Sequence, residues 1–229
     1  MTGSRLLLIG HGRMGRLVES LAGEFGFHVV GVVDSRTGSS AAWPEADVAI
    51  DFSVAGAVPD TVSALAARRT PIVIGTTGWQ AAEARVRASA ADIGVVAAPN
   101  FAIGVNVFLA VAGRLAQLMA SQPSFGGWIH ELHHAAKKDA PSGTALAVAG
   151  RLRAEGYTAD VPIASTRAGA IPGTHTLGFD AASETITLTH QARDRAAFAR
   201  GSLLAARWIG GRTGWFSMAD VLGLEKEHS

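Results

Sequence analysis

The stretch RLLLIGHGRMGRLVESLAGEFG, near the start of the chain, constrains the fold more than any other feature. The apolar run RLLLIG is typical of a buried parallel strand, and the residues after the glycines have apolar side chains at helical spacing. Between these two segments, Gly10, Gly12 and Gly15 have the G-x-G-x-x-G spacing of loops that bind dinucleotides. A strand, a glycine loop and a helix in this order predict the first βαβ unit of a nucleotide-binding sheet.

The alternation of strands and helices continues through the first half of the chain. The apolar runs HVVGVVD, DVAIDFS, PIVIGTTG and IGVVAAPN are predicted strands, and helices are predicted over 56–69 and 79–91. Strands that alternate with helices predict right-handed βαβ units and therefore a doubly wound parallel sheet.

A different pattern begins at about residue 125. GGWIHELHH, THTLGFD and ETITLTH alternate with period two, which is typical of a mixed or antiparallel sheet, and PSGTALAVAGRLRAE is a predicted helix among them. The predicted fold class is α/β: an N-terminal Rossmann-like, doubly wound parallel sheet with an inserted α+β domain built on a mixed sheet. We expect a dinucleotide-binding domain over 1–105, a second domain over 106–205, and a C-terminal segment over 206–229 that returns to the first domain.

Charge and residue types exclude several classes of partner. The formal net charge is +1 and the basic residues are scattered, so neither nucleic acid nor an anionic membrane is expected to bind. The uncharged window 93–113 has nearly the length of a membrane span, but Pro99 and Asn100 interrupt it, so it predicts a strand, a turn and a buried helix. Because the chain has no cysteine, disulfides, thiolate catalysis and cysteine-ligated metals are excluded. The expected partner is a small molecule.

The ends of the predicted strands carry the candidate cofactor residues. Gly10 and Gly12 allow a tight turn close to a pyrophosphate, whose charge the N–H groups of the helix start attract; a plain glycine-rich turn is the alternative. Asp34, after the second strand, is placed to accept the ribose hydroxyls of NAD. Arg36 is placed to pair with the 2′-phosphate of NADPH, so the choice between NADH and NADPH as the cofactor is left open. Two further strand ends are predicted at the same edge of the sheet: GTTG (75–78) and APNF (98–101).

Polar residues are unusually dense in ELHHAAKKDAPSGTALAVA, residues 131–149. Of the 20 lysines and arginines only three are lysines, and two of these, Lys137 and Lys138, lie in this stretch. An ammonium group can give up a proton near neutral pH in a suitable environment, which a guanidinium cannot do. We interpret Lys137 as a proton-transfer residue and Lys138 as a solvated neighbour.

Three of the eight histidines lie beside these lysines: His130, His133 and His134. His133 and His134 are adjacent near the end of a predicted strand, so their side chains point to opposite faces and have different roles. His130 is interpreted as a buried, hydrogen-bonded residue. The H-x-x-H-H run is also compatible with zinc, but it lacks the helical HExxH register and the chain has no cysteine, so no metal is predicted.

The segment DAPSGTALAVAG is predicted to begin a helix. Pro141 suits the first helical turn, and Ser142 and Thr144 place hydroxyls beside its free N–H groups. This arrangement is typical of a receptor for a carboxylate or a phosphate. Beside histidine and lysine it indicates a small anionic substrate held for proton transfer, with simple helix capping as the alternative.

The stretch ELHHAAKKDAPSGTA resembles the signature of the 4-hydroxy-tetrahydrodipicolinate reductase family, also called dihydrodipicolinate reductases. The resemblance runs through nearly the whole chain, in GRMGR, DFS, GTTG, APNFAIGVN, PGTHT and FARGSLLAARWIGGRTGWFSMADVLGL. It implies reduction of 4-hydroxy-tetrahydrodipicolinate to tetrahydrodipicolinate with NADH or NADPH, in the diaminopimelate route to lysine. It also implies a cytoplasmic homotetramer built through the second domain, which binds the substrate.

The resemblance assigns roles to individual residues. It makes His133 the acid/base and Lys137 the proton donor. The residues implied to bind the substrate carboxylates are His134, Ser142, Gly143 and Thr144, and less directly Arg195. The residues implied to bind the cofactor, together with the two found above, Asp34 and Arg36, are Gly10, His11, Gly12, Arg13, Met14, Gly75, Thr76, Thr77, Ala98, Pro99, Asn100 and Phe101.

The sequence departs from the family pattern near the cofactor. The first glycine loop is one residue shorter than the common form, DFSVAG lacks the proline often found after the serine, and the loop after Asp34 is trimmed. These departures leave the preference between NADH and NADPH open. Two other functions remain as alternatives: a Rossmann dehydrogenase acting on an amino acid or an aldehyde, and a non-catalytic dinucleotide sensor.

Overall fold

The computed structural model describes residues 3–34, 37 and 40–224. These residues form two compact units: one contains the chain up to Ile103 and from Ala196 onward, and the other is Gly104–Arg195. The expected boundary at 105 lies close to the observed one, whereas the expected boundary at 205 differs from the end of the second unit at 195. The difference arises from the helix Ala196–Ile209, because its residues Leu203 and Ile209 are buried in the core of the first unit.

The described chain contains ten strands and seven helices besides short 3₁₀ turns. The strands are β1 (Ser4–Ile9), β2 (Phe27–Val33), β3 (Val48–Asp51), β4 (Ile72–Ile74), β5 (Gly94–Ala97), β6 (Gly126–His133), β7 (Ile163–Arg167), β8 (Thr174–Asp180), β9 (Thr185–Gln191) and β10 (Gly214–Phe216). The helices are α1 (Arg13–Leu21), α2 (Val58–Ala66), α3 (Glu83–Ser89), α4 (Ile103–Met119), α5 (Gly143–Ala154), α6 (Ala196–Ile209) and α7 (Met218–Leu222).

The first unit is built on a six-stranded sheet in the order β10-β5-β4-β3-β1-β2, and every neighbouring pair is parallel. The predicted doubly wound parallel sheet is confirmed. The sequence did not predict β10, because three residues are too few to show a period.

Helices cover both faces of this sheet, and β1 shows why. Leu6 and Leu8 point to the face where α1, α6 and α7 pack, whereas Leu7 and Ile9 point to the face where α2 and α3 pack. All four side chains are buried. A strand covered on both sides reads as a continuous apolar run, and each buried leucine contributes roughly 1.5–3 kcal/mol to folding.

The second unit has a mixed sheet in the order β7-β6-β8-β9, as predicted. Strand β6 is parallel to β7 and antiparallel to β8, which is antiparallel to β9. Helices α4 and α5 pack on one face of this sheet, where Phe108, Val148, Ile129 and Leu177 belong to one core. The sequence did not predict β7, because its residues IASTR show no alternation of apolar and polar side chains and all five are half-buried or exposed.

Residues 93–113 form β5, a turn and the first part of α4, as the sequence predicts. In the part of the chain that the structure describes, no helix is both long and apolar enough to cross a membrane.

Candidate active site

The glycine loop follows β1 at the carboxyl edge of the parallel sheet. Gly10 has φ of +90°, and a Cβ there would lie 2.3 Å from the carbonyl oxygen of Phe52. A Cβ on Gly15 would lie 2.0 Å from the carbonyl oxygen of Gly10. Helix α1 begins directly after Gly12, which supplies no capping side chain. The loop therefore turns as tightly as predicted and leaves the helix start open to an anion.

A cavity of about 720 Å³ lies at the carboxyl ends of β1, β2 and β3. Of the residues predicted to bind the cofactor, Gly10, His11, Gly12 and Asp34 line it. Arg13 does not line this cavity and is exposed, Met14 packs against the core, and Arg36 lies outside the described residues. Four lining residues that the sequence analysis did not identify are Trp43, Phe52, Val54 and Thr61.

A second cavity, of about 450 Å³, lies at the carboxyl ends of β4, β5 and β10. Thr76, Ala98 and Pro99 line it, together with Trp79 and Trp215, whose roles the sequence analysis missed. The two indole rings lie 6.0 Å apart, centroid to centroid. Seven of the predicted cofactor residues thus line one or the other of two cavities along one sheet edge.

The remaining predicted residues at this edge differ in what they can offer a ligand. A Cβ on Gly75 would lie 2.1 Å from the ring of Phe52, and Phe101 is buried, so these positions can present only backbone atoms. The side chain of Asn100 accepts a hydrogen bond from the Ala102 N–H, whereas Thr77 is exposed.

Asp51 connects the loops that follow β3 and β4. Its Oδ1 accepts hydrogen bonds from the Ser53 N–H at 2.7 Å and from the Thr76 hydroxyl at 2.8 Å. The carboxyl group is fully buried, and burial raises the pKa of Asp51 above its usual value. This residue fixes the position of Thr76, and the sequence analysis did not single it out.

A buried cluster of ionisable side chains lies in the second unit, on the sheet face that α5 covers. Strand register brings it together, because Glu131 on β6 pairs with His175 on β8, and His133 on β6 pairs with Arg167 on β7. His133 Nδ1 lies 2.5 Å from Glu131 Oε2. Arg167 donates to both carboxylate oxygens of Glu131, at 2.9 and 2.7 Å. We call Glu131, His133, Ser142, Arg167 and His175 the β6 cluster.

The pKa values of the β6 cluster determine which of its members are charged at neutral pH. Burial raises the pKa of Glu131, but hydrogen bonds from Arg167, Ser165 and His133 outweigh burial and lower it to about 2. Burial lowers the pKa of His133, although Glu131 opposes the effect. Burial, helped by the neighbouring His133, lowers the pKa of His175 to about 4. At neutral pH the cluster therefore holds one carboxylate, one guanidinium and two neutral imidazoles.

Ser142 joins helix α5 to the β6 cluster. It is the N-cap of α5, and its hydroxyl accepts a hydrogen bond from the Ala145 N–H at 3.2 Å. The same hydroxyl lies 3.0 Å from His175 Nε2, and the Ser142 N–H donates to Glu131 Oε1 at 3.2 Å. Pro141 precedes this cap, so the expectation that it lies in the first helical turn is wrong. Gly143 is exposed and Thr144 half-buried at the open helix start.

Lys137 lies in the turn between β6 and α5. Its Nζ donates to both carboxylate oxygens of Asp139, at 2.7 and 2.8 Å, and its side chain is 23% exposed. His134 is half-buried, and its carbonyl accepts the Lys137 N–H. Lys138 is exposed. Arg195 lies in the exposed turn before α6, and among the described residues it forms no ion pair with the β6 cluster.

Glu131, His133 and His175 offer nitrogen and oxygen atoms within 4.8 Å of one another, a grouping that the sequence does not reveal. However, both oxygens of Glu131 already accept hydrogen bonds from a guanidinium, whose positive charge opposes a second cation. The described contacts fit a hydrogen-bonded cluster better than a metal centre.

Protein-family models match nearly all of the described chain. Residues 4–101 match "Dihydrodipicolinate reductase, N-terminus", and residues 104–222 match "Dihydrodipicolinate reductase, C-terminus". The chain belongs to the dihydrodipicolinate reductase family. The two matched segments of this reductase meet between 101 and 104, where the two compact units divide.

Individual relatives agree with this assignment. The 4-hydroxy-tetrahydrodipicolinate reductase of Acidiphilium cryptum is 41% identical over 234 residues, which cover 93% of this chain and 94% of the relative. The enzyme of the same name from Christiangramia forsetii is 35% identical over 231 residues, which cover 95% and 97%.

Solved structures share the fold. A dipicolinate-bound dihydrodipicolinate reductase from Paenisporosarcina sp. TG-14 has a TM-score of 0.80 at 22% identity, covering 95% of this chain and 98% of that one. A probable dehydrogenase from Thermotoga maritima has a TM-score of 0.58 at 11% identity, covering 96% of this chain and 93% of that one. The wider likeness to dehydrogenases is one of fold alone.

Proposed function

We propose that the protein reduces 4-hydroxy-tetrahydrodipicolinate to tetrahydrodipicolinate with NADH or NADPH, the reaction after which its relatives are named. The observation that carries the proposal is the polar stretch 131–144, which combines buried His133, half-buried Lys137 and the open start of α5 in one unit of a family member. A non-catalytic sensor would have no need of a buried imidazole held by a carboxylate.

The first unit fits a dinucleotide. A side chain at Gly10 or Gly15 would collide with backbone oxygens, and the space that glycine leaves admits a pyrophosphate at the start of α1. The Asp34 carboxylate, which lines the larger cavity, accepts hydrogen bonds from the ribose hydroxyls of the cofactor. Thr76, Ala98 and Pro99 line the second cavity, where the nicotinamide half binds. When bound, the reduced nicotinamide supplies the hydride.

The second unit holds the substrate. The N–H groups of Gly143 and Thr144 at the open start of α5, with His134 beside them, bind the carboxylates, because a helix N-terminus attracts anions. Ser142 supports this site as the cap of α5. Lys137 is charged beside Asp139, and its Nζ donates the proton that the reduced ring takes up. His133 takes a proton from the ring carbon beside C4 at its free ring nitrogen and returns it to the departing 4-hydroxyl group, which leaves as water before C4 takes up the hydride.

The reaction is tested with purified protein, freshly generated 4-hydroxy-tetrahydrodipicolinate and each reduced cofactor in turn. The expected result is a loss of nicotinamide absorbance that requires the dicarboxylate, together with a product heavier by two hydrogens than dihydrodipicolinate. Cofactor oxidation with amino acids or aldehydes but not with the dicarboxylate would contradict the proposal.

We also propose that the protein assembles as a homotetramer through the second unit. The support is the sheet face opposite α4 and α5, where Trp128, Leu132 and Thr176 are only half-buried and Thr189 is exposed. Trp128 lies flat over Gly178, at which a Cβ would come 2.2 Å from the ring. Light scattering of the purified protein is expected to give four times the mass of the chain, and a monomer would contradict this assembly.

A further inference from the structure

We propose that Glu131, held by Arg167, is a positioning residue that fixes His133 in the tautomer with its proton on Nδ1 and its lone pair on Nε2. The inference rests on the proposed function for its kinetic consequence, but not for the tautomer itself. It adds a residue to the site that neither the signature motif nor the sequence pattern assigns.

The carboxyl group of Glu131 is ionised at neutral pH. Its side chain is fully buried and accepts hydrogen bonds from Arg167 at both oxygens and from the Ser142 N–H. Three hydrogen bonds, two of them from the Arg167 guanidinium, keep the carboxyl group ionised, in agreement with its pKa of about 2. An ionised carboxylate is only an acceptor, so it needs a hydrogen from any nitrogen that faces it.

The tautomer of His133 follows from the charge of Glu131. His133 Nδ1 lies 2.5 Å from Glu131 Oε2, so Nδ1 carries the hydrogen. The charged or titratable groups that face this imidazole are those of Glu131, Arg167, His175 and Lys137. His175, whose ring meets that of His133 edge-on at 5.1 Å, is neutral. Burial is the largest influence and lowers the pKa of His133; the positive charges of Lys137 and Arg167 lower it further, and Glu131 opposes them. The ring is therefore neutral and Nε2 has a free lone pair.

The other edge of the His133 ring lies beside Gly173. A Cβ on Gly173 would lie 3.0 Å from His133 Nε2, and Gly173 has φ of +150°. Glycine at this position therefore leaves Nε2 free of a neighbouring side chain. Nε2 acts as the proton acceptor of the site, while the Lys137 ammonium acts as the donor, so one member of the pair starts neutral and the other charged.

Arg167 completes the arrangement because it reaches two segments. Besides its two bonds to Glu131 it donates to the carbonyl of Asp139, the residue whose carboxylate holds Lys137. One guanidinium therefore fixes both the orientation of His133 and the turn that carries Lys137.

The test combines nitrogen NMR of histidine-labelled protein with steady-state kinetics. Glu131→Gln alone leaves the half-buried Arg167 cation without its carboxylate partner and is expected to fold poorly. The double variant Glu131→Gln/Arg167→Gln replaces both charged groups by uncharged amides, so it is the variant to measure. Glu155→Gln is the matched control, since Glu155 pairs with Arg151 within α5 and its C-cap, outside the β6 cluster.

The wild-type protein is expected to show His133 with a protonated Nδ1 and an unprotonated Nε2 at neutral pH. In the double variant the two tautomers are expected to mix, and kcat to fall at least roughly tenfold with little change in KM, because an orienting group acts on the reacting step rather than on binding. The acid limb of the pH profile is expected to move to lower pH, because losing Glu131, which raises the pKa of His133, outweighs losing Arg167, which lowers it less strongly. Glu155→Gln is expected to change none of these.

Two results would overturn the inference: a wild-type His133 protonated at Nε2 instead of Nδ1, or a folded double variant with unchanged tautomer and kcat. If the wild-type protein did not reduce the dicarboxylate at all, the proposed function would fail, and the NMR measurement would still decide the assignment of the tautomer.

Discussion

The two units of the molecule present their functional groups in different ways. In the first, the loop around Gly10 and the start of α1 offer mainly backbone atoms to a ligand at the ends of parallel strands. In the second, the buried side chains of Glu131 and His133 and the half-buried side chain of Arg167 lie on one sheet and are joined by hydrogen bonds. We therefore expect cofactor binding to depend on backbone shape and proton transfer to depend on side-chain orientation.

The largest effect on turnover is expected from removing the imidazole of His133 in the second unit. His133→Ala should lower turnover by roughly 10² or more, the usual scale for a lost proton-transfer group. Because we propose that the cofactor binds the first unit, the affinity for NADPH should stay the same. Turnover and cofactor titration on the same preparation check both statements, and near-normal turnover would remove His133 from the mechanism.

Adding a side chain to the glycine loop should weaken cofactor binding and leave the proton-transfer residues unchanged. At Gly10 an alanine would meet the Phe52 carbonyl oxygen and would need a backbone conformation that costs of order 1–3 kcal/mol. Gly10→Ala is expected to weaken cofactor binding roughly tenfold or more and to leave the His133 tautomer unchanged. Gly23→Ala, outside the loop, is the matched control for folding, since nothing lies within 4 Å of a Cβ there. Equal cofactor affinity in Gly10→Ala and wild type would show that the loop does not bind the pyrophosphate.

These two regions also differ in how far the sequence predicts them. The glycine spacing and Asp34 are local signals, so the parallel sheet and the cofactor edge follow from the pattern around them. Membership of the β6 cluster depends on register: Glu131 faces His175, 44 positions later, only because β6 and β8 pair in one of several possible alignments. Nothing in the local pattern specifies that alignment. Strand β7 and its Arg167 are not predicted for a different reason, because the segment IASTR shows no alternation of apolar and polar residues.

A smaller effect is expected where the first unit discriminates between cofactors. The carboxylate of Asp34 repels a 2′-phosphate, so Asp34→Asn should improve the use of NADPH relative to NADH by roughly tenfold, about 1.4 kcal/mol. The ratio of kcat/KM for the two cofactors measures the change. An unaltered ratio would assign the discrimination to another residue that lines the larger cavity.

The smallest effect concerns stability at acid pH. His175 has its pKa lowered to about 4 in the folded protein, below the value of 6.5 for an unperturbed histidine. The neutral form therefore stabilises the fold fully above pH 6.5, and this stabilisation is lost as the pH falls towards 4, with a slope of at most about 1.4 kcal/mol per pH unit. Urea unfolding of wild type and His175→Gln should show a shallower pH dependence in the variant across this window. Parallel curves would show that His175 titrates normally in the folded protein.

The separation of cofactor binding from proton transfer is tested most directly by titrating NADPH into Lys137→Ala and measuring its turnover, with Lys138→Ala as the neighbouring control. We predict that Lys137→Ala binds NADPH within about twofold of wild type and turns over roughly 10² times more slowly or worse, while Lys138→Ala is normal in both respects. Normal turnover in Lys137→Ala, or loss of its NADPH affinity, would contradict the account.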